Sequence, residues 1–269
     1  MQDTNERVFF KAEHISVSYG SRKVLKDISF SIDSSNSLIG LVGANGCGKT
    51  TLLKAICNQL PHEGTFTLYN QPLEKLSPRE LARSLSYIPQ RSGIQISISV
   101  LDMVLMGFNP ILKLLESPSD SMRKSALNAL NMAGASHLAN QDYLTLSEGE
   151  KQLCVLARTL VQNTPLMLLD EPDSALDFHN KYSMMRTVKH VTGLSGKAAM
   201  ICLHDPMLAL DFCDQLILIK DGSILTSIFP KKDSADVIEA AFLALYDNIT
   251  VKEVTDRSGN RRLVLISEI

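Results

Sequence analysis

The segment Gly43-Ala44-Asn45-Gly46-Cys47-Gly48-Lys49-Thr50 constrains this chain more than any other. It reads G-x-x-x-x-G-K-[ST], and it stands between an apolar run, Leu38–Val42, and a helical pattern over Thr51–Gln59. A strand, a glycine-rich turn and a helix in that order form a cradle for phosphate. The glycines let backbone N–H groups close around oxygens, and the helix start adds donors and partial positive charge. Lys49 is suited to bridge the β- and γ-phosphates, and the Thr50 hydroxyl to coordinate Mg²⁺. Gly43, Asn45, Gly46, Cys47, Gly48, Lys49, Thr50 and Thr51 are therefore the expected nucleotide contacts. The loop by itself says "nucleoside triphosphate" and leaves the kind of NTPase open.

Leu166-Met167-Leu168-Leu169-Asp170-Glu171-Pro172 supplies the chemistry that the loop lacks. An apolar strand ends in two carboxylates, at the strand end where open parallel sheets bind ligands. Asp170 suits the Mg²⁺ site, and Glu171 can polarise an attacking water as general base. Similar apolar runs at Leu38–Val42, Ala198–Leu203 and Leu216–Ile219, with helical patterns between them, predict an α/β P-loop NTPase core with a mostly parallel sheet. Before it, Ile15, Val17 and Tyr19, then Ile28, Phe30 and Ile32 after a Gly20-Ser21-Arg22 turn, predict an N-terminal antiparallel pair. Residues from about 98 to 162 predict an inserted helical subdomain, with helices near Val100–Gly107, Met122–Gly134 and Glu148–Val161. The expected domains are 1–229 and a small annex, 230–269. The annex should hold an amphipathic helix over Ser234–Tyr246, with Val237, Ile238, Ala241, Phe242 and Leu245 along one stripe, then a hairpin, Thr250–Val254 and Leu263–Ile266.

Leu146-Ser147-Glu148-Gly149-Glu150 narrows the class. It resembles the L-S-G-G-Q signature of the ABC (ATP-binding cassette) ATPases, with Glu148 in place of the first glycine and Glu150 in place of the glutamine. Other landmarks follow in the family's order. Tyr19 resembles the aromatic residue that stacks on adenine, and Gln90, in Ile88-Pro89-Gln90, the glutamine that senses Mg²⁺ and the γ-phosphate. Ser174-Ala175-Leu176-Asp177 is similar to the D-loop, and His204 to the switch histidine. Asp173 stands where many relatives carry Thr. The resemblance implies ATP and Mg²⁺ as cofactors, with Glu171, His204 and Gln90 catalytic. Thr50, Gln90 and Asp170 would lie at the metal, and Tyr19, Ser147, Gly149 and Asp177 at the nucleotide. It also implies a head-to-tail pair, in which Ser147 and Gly149 of a second copy close over the γ-phosphate. ATP binding closes that pair and hydrolysis reopens it. Ser147 reads as a helix N-cap, and the Glu148 side chain is expected to point away from the nucleotide.

Leu76–Arg83, Ser99–Gly107 with Asn109-Pro110, and Leu176-Asp177-Phe178-His179 are similar to importer ATPases for iron–siderophore complexes, haem or cobalamin. That likeness implies a polytopic permease, an extracytoplasmic substrate-binding protein, and a place on the cytoplasmic face of the membrane. Val100, Leu101, Met103, Val104, Leu105 and Met106 would partly line the groove that receives the permease.

Composition agrees and excludes rivals. With 27 basic and 29 acidic residues, a net charge of −2 offers no footprint for nucleic acid. No apolar stretch approaches the ~20 residues of a membrane span, and Met1–Arg7 lacks the pattern of a signal peptide. The five cysteines are odd in number and form no C-x-x-C pair, which fits a reducing cytoplasm. Cys47 reads as a small filler in the loop rather than an oxidation switch. The absence of heptad runs argues against the coiled-coil ABC ATPases of DNA repair. A soluble ABC regulator or assembly factor remains the alternative, and a non-hydrolysing module would lack Glu171 or His204.

Overall fold

A computed structural model describes residues 8–90, 93–113, 115–194 and 196–267. The N-terminal heptapeptide, read above for a targeting signal, lies outside the described residues. The chain divides into two compact units, residues 1–75 with 200–269, and residues 76–199.

The first unit opens with β1 (Phe10–Tyr19) and β2 (Arg22–Ile32), antiparallel as the alternation predicts. Ile15, Val17, Ile28 and Ile32 are buried, whereas Tyr19 is 49% exposed. Register shifts between Ile15 and Ser18 account for the difference, because each bulge re-aims the side chains beyond it. β3 (Ser37–Val42) follows, buried from Leu38 to Val42 as an apolar run covered on both faces should be. Helix α1 spans Lys49–Ile56, so it starts and ends earlier than the pattern over Thr51–Gln59 predicts. Gly48, at φ 113°, is its N-cap and lets the helix begin at the lysine itself. β4 (Glu63–Leu68) and β5 (Gln71–Pro72) complete an antiparallel sheet of order β2-β1-β4-β5.

In the second unit, α2 (Pro78–Ser84) leads into β6 (Leu85–Ile88). The helical stretch is present as α3 (Val100–Leu105), α4 (Asp120–Met132) and α5 (Glu148–Gln162). Among the described residues of that stretch no strand occurs, only an isolated bridge between Ser99 and Asp142. Val100, Met103, Val104 and Leu105 are buried, so most of the residues expected at a permease groove belong to the core. β7 (Leu166–Asp170) is buried throughout and pairs in parallel with β6, and α6 (Phe178–Thr192) follows.

At β8 (Ala198–Cys202) the chain passes back to the first unit. There α7 (Pro206–Phe212), β9 (Gln215–Lys220) and β10 (Ser223–Ile228) complete strands in the order β10-β9-β3-β8. β3 and β9 are parallel, while β10 runs antiparallel to β9. The annex forms α8 (Ala235–Leu243) and a hairpin of β11 (Ile249–Thr255) and β12 (Arg261–Ser267). Ile238, Ala241 and Phe242 are buried as the stripe predicts, but Val237 is 52% exposed. All five cysteines are free and buried, with no disulfide.

Candidate nucleotide site

The phosphate loop connects β3 to α1 in the first unit. A Cβ on Gly43 would meet the Ile219 carbonyl oxygen at 2.2 Å and the Cys47 sulfur at 2.7 Å, so only glycine fits there. Lys49 is 4% exposed, and its Nζ donates to the carbonyl oxygens of Gly43 at 2.8 Å and Ala44 at 3.2 Å. A buried ammonium needs acceptors, and here the loop that it serves supplies them. No side chain caps α1, which leaves its first turn suited to receive an anion.

Cys47 packs inside the loop. Burial pushes its thiol pKa up, with Lys49 opposing, so it is a poor nucleophile. This is the behaviour of a filler. Its carbonyl accepts from Gly222 N at 3.2 Å, which ties the loop to the β9–β10 turn. His204 is exposed just beyond β8. The Leu203 N–H donates to the Leu41 oxygen at 3.3 Å, so His204 follows the strand that neighbours the loop's own strand.

In the second unit, the two carboxylates at the end of β7 are each held by one short segment. Asp170 is 1% exposed, and Tyr87 on β6 donates its hydroxyl to Asp170 Oδ2 at 3.1 Å. Glu171, at φ +50°, occupies the left-handed region, an uncommon conformation that clusters at functional sites. Gln90 Nε2 donates to Glu171 Oε2 at 2.7 Å. Because β6 runs parallel to β7, with Tyr87 opposite Leu168, the stretch that carries Tyr87 and Gln90 ends beside the β7 carboxylates.

The Ser147 turn is also local chemistry. Ser147 caps α5, and its N–H and hydroxyl both donate to Glu150 Oε2, at 2.9 and 2.7 Å. That hydroxyl bond, then the backbone bond, holds the Glu150 carboxyl below its ordinary pKa. Glu148 turns along the helix to Lys151 Nζ, 2.9 Å away. A Cβ on Gly149 would stand 2.9 Å from the Ala175 oxygen, so this glycine lets α5 approach the turn before Asp177. Asp177 caps α6, accepting from Asn180 N at 2.8 Å. Asp173 is buried, with Lys181 at 3.7 Å.

Residues 25–174 match the family model described as ABC transporter. The chain belongs to the ABC transporter family. A hemin import ATP-binding protein of Shewanella denitrificans is 35% identical over 81% of this chain and 86% of its own length. An ABC transporter ATP-binding protein of Haemophilus influenzae is 34% identical over 79% of this chain and 80% of its own. Among solved structures, an inward-facing metal-chelate type ABC transporter matches with a TM-score of 0.80 over 98% of both chains at 21% identity. A dimeric ABC cassette bound to ADP and Pi matches with a TM-score of 0.73 at 27% identity, over 82% of this chain and 98% of that one. The fold is that of an ABC ATPase cassette.

The expected ABC residues fall into two groups. The phosphate loop, Tyr19 and His204 belong to the first unit, while Gln90, Asp170, Glu171, Ser147, Gly149 and Asp177 belong to the second. The second unit directly joins Gln90 to Glu171. Tyr87 and Gln152 escaped the sequence reading. Tyr87 is legible only once β6 and β7 are known to pair. Gln152, whose Nε2 donates to the Gln90 oxygen at 2.8 Å, is a polar residue inside the apolar pattern of α5, and that interruption was the available signal.

Proposed function

We propose that this chain is the ATP-hydrolysing motor of an importer for haem or a related iron chelate, such as a siderophore complex, or for cobalamin. The observation that supports catalysis is the Glu171 carboxylate, set at the end of a buried strand and held at 2.7 Å by Gln90. The names of the hemin-import relatives support the cargo class. Backbone N–H groups of Gly43–Thr50 and the Lys49 ammonium take the phosphate oxygens, and Tyr19, exposed at the end of β1, offers its ring to adenine.

Thr50 and Asp170 offer hard oxygen donors that suit Mg²⁺, with Gln90 beside them in role. Among the described residues no group of three or more His, Cys, Asp or Glu gathers for a metal. Thr50 and Asp170 would hold Mg²⁺, which would supply positive charge against the charge that develops on the phosphate oxygens.

Glu171 orients water and accepts its proton as the oxygen attacks the γ-phosphorus, and the ADP oxygen leaves. Gln90 keeps that carboxylate turned inward, and His204 supports the γ-phosphate. Ser147 and Gly149 of a second copy complete the site, so that ATP joins two copies and hydrolysis parts them.

Among the described residues no helix is long and apolar enough to cross a membrane. In this reading a polytopic permease carries the pathway, with a substrate-binding protein on the far side and this chain on the cytoplasmic face, and the names of the hemin-import relatives support it. Isolation from native membranes in mild detergent tests the reading. A permease recovered in equal amount is the expected result, and recovery alone or only with soluble partners would overturn it.

A further inference from the structure

Helix α5 starts from Ser147 and carries Gln152, only 8% exposed, next to the buried residues Leu153, Val155 and Leu156. A buried amide among apolar neighbours needs a partner. The Gln152 Nε2 finds it in the main-chain oxygen of Gln90, at 2.8 Å. The kind of acceptor matters. A bond to a main-chain carbonyl fixes the peptide on which the Gln90 side chain is mounted, and it does not compete with that side chain for its own partner. The Gln90 amide in turn donates to Glu171 Oε2 at 2.7 Å.

Two hydrogen bonds therefore run from the helix of the Ser147 turn, through one residue, to the carboxylate at the end of β7. The described residues of 89–98 belong to no helix or strand, so Gln90 has no regular ladder to hold it. The anchor on α5 takes that part. Gln152 stands close behind the capped turn Ser147–Glu150, so a displacement of that turn moves the anchor as well.

We propose that Gln152 is a positioning residue for Gln90, tying the main chain of that loop to α5 and so linking the Ser147 turn to the grip of Gln90 on Glu171. This inference rests on the reading of Glu171 as general base. It makes engagement of the signature turn and orientation of the base parts of one connected device, within a single copy of the chain.

A double-mutant cycle on ATP hydrolysis by the full-length chain tests it. Gln152→Met keeps length and apolar bulk and removes the donor. It should lower kcat about tenfold, the scale of one lost hydrogen bond, with KM for ATP within about twofold of wild type. The melting midpoint should stay unchanged. In a Gln90→Ala background the same substitution should change kcat by less than about twofold, because the route through the Gln90 side chain is already cut.

Equal losses in both backgrounds, an unchanged kcat, or a fall in kcat that tracks a fall in melting temperature would each overturn the proposal. Should Gln152→Met fail to fold, Gln152→Leu carries the cycle, since it also removes the donor and puts no charge in the buried site. A Glu171→Gln chain that hydrolyses ATP at the wild-type rate would remove the base reading instead. The coupling between Gln152 and Gln90 would still be read from the cycle alone.

Discussion

Glu148 places a carboxylate in the turn that is expected to meet a γ-phosphate, where the family signature has glycine. Two electrostatic effects compete there. A negative charge in the first turn favours the helix dipole, and the same charge repels an incoming phosphate. The side chain decides between them by its direction: it lies along α5 against Lys151 Nζ at 2.9 Å, with Glu148 68% exposed. An exposed pair of this kind contributes little to stability, but it sets an ammonium beside the carboxylate and so offsets its charge. Glu148→Gly should therefore alter ATP turnover by less than about tenfold, as measured by steady-state hydrolysis. A larger rise would mean that the native carboxylate inhibits. Glu150 differs in kind. Its carboxylate accepts two bonds from Ser147, a task that glutamine performs equally well at this position. The departure from the signature is therefore conservative in structure.

At the scale of elements, the same device recurs. Leu76-Ser77-Pro78-Arg79-Glu80 and Leu146-Ser147-Glu148-Gly149-Glu150 both start helices with a capping box. In α2 the box caps the helix start. In α5 it also fixes the serine that is expected to meet nucleotide, so a functional motif here is built on an ordinary helix start. The annex hairpin is pinned in a comparable way by Asp256. The Asn260 N–H, the Arg262 guanidinium, the Ser258 N–H and the Asn260 amide hold its carboxyl pKa down at about 2. An unfolded Asp titrates near ~3.9. Since the folded value is the lower one, the contribution is complete above that pH and is lost as pH falls toward about 2. Protection of the β11 and β12 amides, taken relative to their intrinsic exchange rates, should accordingly fall between about pH 4 and 2 in the wild type. Asp256→Ala should show weakened protection already at neutral pH, with a flatter acid response. Equal protection in both proteins at neutral pH would remove this role.

For the whole molecule, what the sequence reveals divides by the range of the interactions. The phosphate loop, the acidic strand end and the Ser147 cap are legible because their chemistry lies in consecutive residues. Tyr87 reaches Asp170 across 83 positions, and Gln152 reaches Gln90 across 62, so neither pairing leaves a trace in any local window. The exposure of Tyr19 is hidden for another reason, since bulges break the alternation that would bury it. The compact units also interleave in sequence. The helical stretch groups with β6, β7 and α6 in residues 76–199, and the annex groups with the phosphate loop in the other unit. The residues of the proposed site are divided between the two units, and the proposed reading takes Ser147 and Gly149 from a second copy. That dependence gives a prediction at this scale. If Glu171 is the base, Glu171→Gln removes proton acceptance and keeps the shape and the hydrogen bonding of the side chain. ATP binding should then survive while turnover falls by at least about a hundredfold, the usual scale for a lost general base. A chain that binds ATP and cannot spend it should accumulate as a closed pair. On size-exclusion chromatography with ATP, Glu171→Gln should elute as a dimer, and the wild type should return to monomer as ATP is consumed. A further Lys49→Ala substitution should abolish the dimer by loss of charge-assisted contacts to phosphate. A Glu171→Gln chain that stays monomeric in saturating ATP would mean that nucleotide does not join two copies of this chain by themselves, and the permease would then have to hold them together.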